Sequence, residues 1–164
     1  MLIHPNRDKA ESKATKAAVV LLLLVSAALI LIVMIGGWSQ LQGAQIISFF
    51  YVAVYVVMAF YAARWNRGVL PVAAGLAVLF AVLAGVAGPA WFERDKAGYA
   101  DPALDPGLLG LLTLILVPVQ ILLVAFAMRG FQQQWNVEVE VTDDEADRYR
   151  RGDLGGGELH PAQP

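Results

Sequence analysis

Thr113, Pro118 and Gln120 lie within residues 108–128, a stretch that holds no charged side chain. On a helix Thr113 and Gln120, seven residues apart, share one face. Pro118 has no amide hydrogen and its ring collides with the Leu114 carbonyl, so it frees that acceptor and bends the helix. A hydroxyl, a carboxamide and a freed carbonyl in apolar surroundings can hold a polar group of a substrate by hydrogen bonding alone. Tyr51 and Tyr55, i and i+4 in another uncharged stretch and flanked by Ser48, are placed to face them. Tyr51, Tyr55, Thr113, Pro118 and Gln120 are therefore the candidate polar face. The competing reading is structural, and it is the favoured one. Polar side chains inside packed helices find one another, and such bonds contribute only about 0.6–2 kcal/mol in a membrane.

A second group able to do chemistry is Glu93, Asp95, Asp101 and Asp105, in the segment 92–107. Clustered carboxylates can bind a hard divalent cation. Their spacing does not follow the Asp-x-[Asp/Asn]-x-[Asp/Asn]-Gly pattern of a calcium loop. Asp105-Pro106 reads more simply as an N-cap followed by proline at the first helical position. Other chemistries lack their residues. The chain has no cysteine, and its two histidines, His4 and His160, lie near the termini. Axial histidines for a haem, a base for Ser26 or Ser48 as nucleophile, and the buried carboxylates of ion-coupled transport are all missing from the apolar stretches. No phosphate-binding glycine motif occurs, since Gly155-Gly156-Gly157 follows no strand and precedes no helix. No catalytic residue, cofactor site or metal site is expected, and no basic block points to nucleic acid.

These residues are positioned by four uncharged apolar stretches, 17–36, 45–63, 69–90 and 108–128. Each is close to the ~20 residues a helix needs to cross a ~30 Å hydrocarbon core. The chain is 58% hydrophobic, against ~45–50% for a typical soluble domain. Backbone polar groups in lipid must pair within the segment, which makes each stretch a helix. The first is too long and too continuous for the core of a cleavable signal, which runs ~7–15 residues. The expected fold is an all-α membrane protein, a four-helix antiparallel bundle over 17–135. An N-terminal tail covers 1–16, and an acidic, mostly disordered tail covers 136–164.

Four spans place both termini on one side. Arg7, Lys9, Lys13, Lys16, Arg64, Arg67 and Arg129 would flank the membrane there, against Arg94 and Lys96 opposite. The excess of cations predicts that this side is cytoplasmic, in a plasma (inner) membrane. Trp38, Trp65, Trp91 and Trp135 each follow one stretch and read as interfacial anchors. Phe131 and Trp135 are expected on one face of a fourth helix that continues past the hydrocarbon.

The third stretch carries small residues at every fourth position, Ala73, Ala77, Ala81 and Gly85, with Ala84 and Gly88 as a second pair. Such a ridge lets helices approach closely, within the bundle or against a second protein. In the C-terminal tail, Val137, Val139 and Val141 alternate with Glu138 and Glu140, a strand pattern for which this chain offers no partner strand; it would dock on another protein's sheet edge. Thr142-Asp143-Asp144-Glu145 matches a capping box, with Gly152 placed to end a short helix. Together these features predict a non-enzymatic accessory or scaffolding subunit of a larger membrane complex. Its partners would be the lipid bilayer and either another membrane protein or a second copy. The alternative is a small transporter or channel component for a hydrophobic or lipid-like substrate, with its cavity near Tyr51, Tyr55, Thr113 and Gln120.

Overall fold

The computed structural model of the chain describes residues 1–94, 96, 98, 101–156, 158 and 159. In chain order the elements are β1 (Leu2–Ile3), α1 (Pro5–Asp8), α2 (Ala10–Gly36), a single 3-10 turn (Trp38–Gln40), α3 (Ala44–Ala63), α4 (Val69–Glu93), α5 (Pro106–Gln132), β2 (Val139–Glu140) and α6 (Asp143–Arg151). Helices α2 to α5 are 27, 20, 25 and 27 residues long and apolar enough to cross a membrane. At ~1.5 Å per residue even the shortest reaches about 30 Å. α2 starts at Ala10, inside the segment expected to be tail.

The four helices form a ring in which α4 and α5 pair most extensively, α2 packs on both α3 and α5, and α3 meets α4 only sparsely. The tight α4–α5 seam depends on Gly88. A methyl group there would fall 2.5 Å from Leu114 Cδ2, so the missing side chain is what admits Leu114. The small-residue ridge of α4 divides. Ala73 and Ala77 are fully buried, Ala81 is half-buried and Gly85 is exposed. Steps of four on a 3.6-residue helix drift by about 40° each, so the ridge winds out of the core. The buried face continues instead through Phe80, Ala84, Gly88 and Trp91. A side chain at Gly85 would meet no atom within 4 Å.

The termini fold together at one end of the bundle. β1 and β2 pair antiparallel, Leu2 opposite Glu140 and Ile3 opposite Val139, and the Val141 amide donates to the Met1 carbonyl. The strand pattern therefore finds its partner within this chain, contrary to the expectation that none was available. The sequence signal failed because β1 is only two residues long and shows no alternation of its own. Residues 139–151, expected to be mostly disordered, carry β2 and α6. They are held by an apolar cluster of Ile3, Val141 and Ala146. The capping box forms as expected. The Thr142 hydroxyl accepts from the Glu145 amide while the Glu145 carboxylate accepts from the Thr142 amide, and Gly152 ends α6 in the left-handed region at φ 83°.

Candidate functional site

Of the five residues of the candidate polar face, two are hydrogen-bonded to each other, and Tyr51 lies against one of them, its ring edge to face with Tyr55 at 5.6 Å. The Tyr55 hydroxyl donates to Gln120 Oε1 at 2.7 Å. Gln120 Nε2 donates to Ser26 Oγ at 2.8 Å, and the Ser26 hydroxyl donates to the Leu22 carbonyl one turn earlier in α2 at 2.7 Å. All three side chains have no exposed surface. This closed line of hydrogen bonds joins α3, α5 and α2 across the middle of the bundle. Ser26, considered in the sequence only as a nucleophile without a base, is its third member. A polar residue near the middle of an otherwise apolar helix is the signal that would have found it, since such a group needs a partner.

The remaining three make no hydrogen bond to this pair. Thr113 is buried, but its hydroxyl donates to the Leu109 carbonyl of its own helix at 2.7 Å. Tyr51 turns toward α4, donating to the Leu76 carbonyl at 3.4 Å, with its ring 4.6 Å from that of Phe80. Pro118 is exposed on the outer side of α5. Two residues on a helix subtend about 200°, so Pro118 and Gln120 face opposite ways, and the proline does not belong to this site. α5 runs unbroken through it from Pro106 to Gln132. Among the described residues no buried side-chain nitrogen or oxygen lacks a hydrogen-bond partner. Among the described residues the polar interior is closed on itself by its own hydrogen bonds.

An apolar cavity lies next to this line, toward the end of the bundle opposite the termini. It measures about 180 Å³ and is walled by Ile30 and Val33 of α2, Phe80, Ala84 and Trp91 of α4, and Leu116 of α5. Ser48 and Thr113 also reach it, but their hydroxyls are bonded to the Ala44 and Leu109 carbonyls. Its lining on α3 and α4 includes Ile47 at 51% and Leu83 at 46% exposure, whereas Leu116 at 1% and Ile30 at 3% form its floor. The mouth thus opens sideways through the sparse α3–α4 contact.

The tryptophans divide as well. Trp38 is well exposed, while Trp91 and Trp135 are buried. α5 ends at Gln132 and Gln134 takes a left-handed φ of 50°, so the chain turns back and Phe131 and Trp135 are not successive neighbours on one helix. Trp135 packs under Gly130, where a methyl group would fall 2.8 Å from Cζ2 of its ring. It meets Trp65 edge to face at 5.3 Å and donates from Nε1 to Gln133 Oε1 at 3.0 Å. Trp65 itself has φ 64°. It occupies the left-handed position of a Schellman turn, with Asn66 N bonded to Tyr61 O and Trp65 N to Ala62 O. A bulky residue is uncommon there, and this one is held by the Trp135 ring and by Lys16 Nζ 4.0 Å above its own ring.

Of the carboxylates in 92–107, Asp105 is the N-cap of α5, accepting from the Leu108 amide at 3.0 Å. Asp95 lies outside the described residues. Among those described, no three His, Cys, Asp or Glu side chains gather as a metal site would require. At the termini end, the Tyr149 hydroxyl donates to Asp8 Oδ2 at 2.7 Å. Burial first, then this bond and the carboxylate's charge, push the Tyr149 phenol up to about 12.

No family model matches the chain, and no curated protein or solved structure matches it either.

Proposed function

We propose that this chain is a non-enzymatic accessory or scaffolding subunit of a larger assembly in the inner membrane, with both termini cytoplasmic. The observation that carries this reading is the closed polar interior. Ser26, Tyr55 and Gln120 satisfy one another, which leaves the mid-bundle no polar group to bind a substrate or pass a proton. That weighs against a transport path along Tyr51, Tyr55, Thr113 and Gln120. The sidedness follows from the seven cations that flank the termini end against two at the other. The surface offered to a partner is the outward side of α4, where Gly85 is exposed and small residues permit close helix approach.

The test is mass spectrometry of what co-purifies with the tagged full chain in mild detergent, for wild type and Gly85→Leu. Defined membrane partners that Gly85→Leu loses, with the bundle's own melting unchanged, support the subunit reading and this seam. Partners retained by the variant place the seam elsewhere. A wild-type chain that purifies alone contradicts the reading.

A further inference from the structure

The cavity between α3 and α4 has chemistry of its own. Its two hydroxyls, Ser48 and Thr113, spend their protons on their own helices, so they have none to donate to an occupant and the slot offers mainly apolar contact. Its mouth includes the exposed Ile47 and Leu83 on the flank of the bundle, a side that meets hydrocarbon if the bundle lies in a bilayer. Above it stands a cation. The Arg94 guanidinium lies 4.9 Å over the ring of Trp91, a wall of the cavity. Its Nη1 donates to the Gln40 carbonyl at 3.3 Å, and among the described residues no carboxylate pairs with it. An apolar slot with a lateral door and a cation at its upper rim suits an amphiphile with one anionic end. A freely soluble anion has no reason to enter the slot, and a neutral oil has no use for the arginine.

We propose that this cavity seats a segment of one acyl chain of a bilayer phospholipid, with the lipid phosphate held at Arg94. The lipid comes from the membrane and stays as a resident filler between α3 and α4, completing the packing that those two helices leave open. Dispersion contact along the slot walls stabilises the chain, and the guanidinium with its multiple donors suits the phosphate oxygens. The site needs the bundle to lie in a bilayer. It does not depend on the subunit reading.

The experiment uses the full chain reconstituted in equimolar phosphatidylglycerol and phosphatidylcholine, transferred to mild detergent and weighed by native mass spectrometry. Wild type retains one phospholipid per chain, enriched in phosphatidylglycerol. Ala87→Phe, which fills the mouth from α4, loses the lipid. Ile47→Phe, on the opposite lip, does the same and serves if the first variant fails to fold. Leu79→Phe, an equally large change at a residue 59% exposed and outside the cavity, keeps it. Arg94→Gln retains a lipid but loses the preference for phosphatidylglycerol. A wild type free of lipid overturns the proposal, as does equal retention by wild type and the folded mouth variants. If Arg94→Gln leaves the preference intact, the arginine does not select the anionic headgroup and its part in the proposal fails.

Discussion

At the end of the bundle that carries both termini, ties between distant parts of the chain are dense. Lys16 Nζ donates to the Ala63 carbonyl at the end of α3. Arg67 Nε donates to the Phe131 carbonyl near the end of α5, 2.6 Å away, with its guanidinium 4.0 Å over the Phe131 ring. Arg7 donates to the Trp135 carbonyl, and Gln133 to Thr15. At the far end, the cross-links among the described residues include the Leu104 amide to the Gly36 carbonyl, Arg94 to the Gln40 carbonyl and Ser39 to the Asp101 carbonyl. There the first turns of α3 stand away from α4 and leave the cavity. Each end must satisfy the last carbonyls of two helices, α3 and α5 at the termini end and α2 and α4 at the far end. Two helices end at the termini end with carbonyls unpaired by their own helix, and cations answer both the hydrogen bonds and the helix dipoles. At the far end the Leu104 amide answers the Gly36 carbonyl at the end of α2, and Asp105 caps α5 locally.

The comparison is sharpest where a substitution hits one end and spares the other. Trp135→Ala removes a fully buried ring from the termini end. A loss of about 3–5 kcal/mol is expected, read as a large drop in melting temperature in detergent, with the far-end cavity unaffected. Gly88→Leu forces a side chain against Leu114 in the α4–α5 seam. About 1–3 kcal/mol should be lost through overpacking, while Gly85→Leu on the same helix should leave melting unchanged; equal effects would contradict the division of the ridge. Gln120→Leu breaks the bonds between the two ends. In a double-mutant cycle with Tyr55→Phe the coupling should be about 0.6–1.7 kcal/mol, and no coupling would mean the two side chains do not share a bond. The smallest effect is alkaline. The Tyr149 phenol is raised to about 12 from the ordinary 10.0, so its bond to Asp8 contributes fully below pH 10 and is lost as pH rises toward 12. Tyrosinate absorbance in wild type and Tyr149→Phe should show this late titration.

The four helices were legible because charge-free stretches of this length leave the backbone one solution. The expected spans fall inside the observed helices, and the caps at Asp105 and Thr142 formed because their signals are local. What was not legible depended on distant parts of the chain. Ser26 could not be assigned to Gln120 from sequence, because which face of α2 meets α5 is set by tertiary packing. The drift of Ala81 and Gly85 out of the core was readable in principle from the helical angle, but spacing alone suggested one ridge. The pairing of Leu2–Ile3 with Val139–Glu140 joins segments near opposite ends of the chain, and two residues carry no periodicity to announce it. The burial of Trp91 and Trp135 within the bundle was not legible from their place after apolar stretches; turns at Trp65 and Gln134 help fold the termini end inward around Trp135.

The contrast between a sealed end and an open one is tested most directly by tryptophan fluorescence in bilayers whose phospholipids carry bromine on the acyl chain. Wild type would be compared with Trp91→Phe and Trp135→Phe. Trp91 and Trp135 are both buried, at opposite ends of the bundle, yet only Trp91 walls the side-opening cavity. The expected result is that brominated chains quench the emission that Trp91→Phe removes and leave untouched the emission that Trp135→Phe removes. Equal protection of both rings would mean that lipid does not enter between α3 and α4, and the account of an open far end would be wrong.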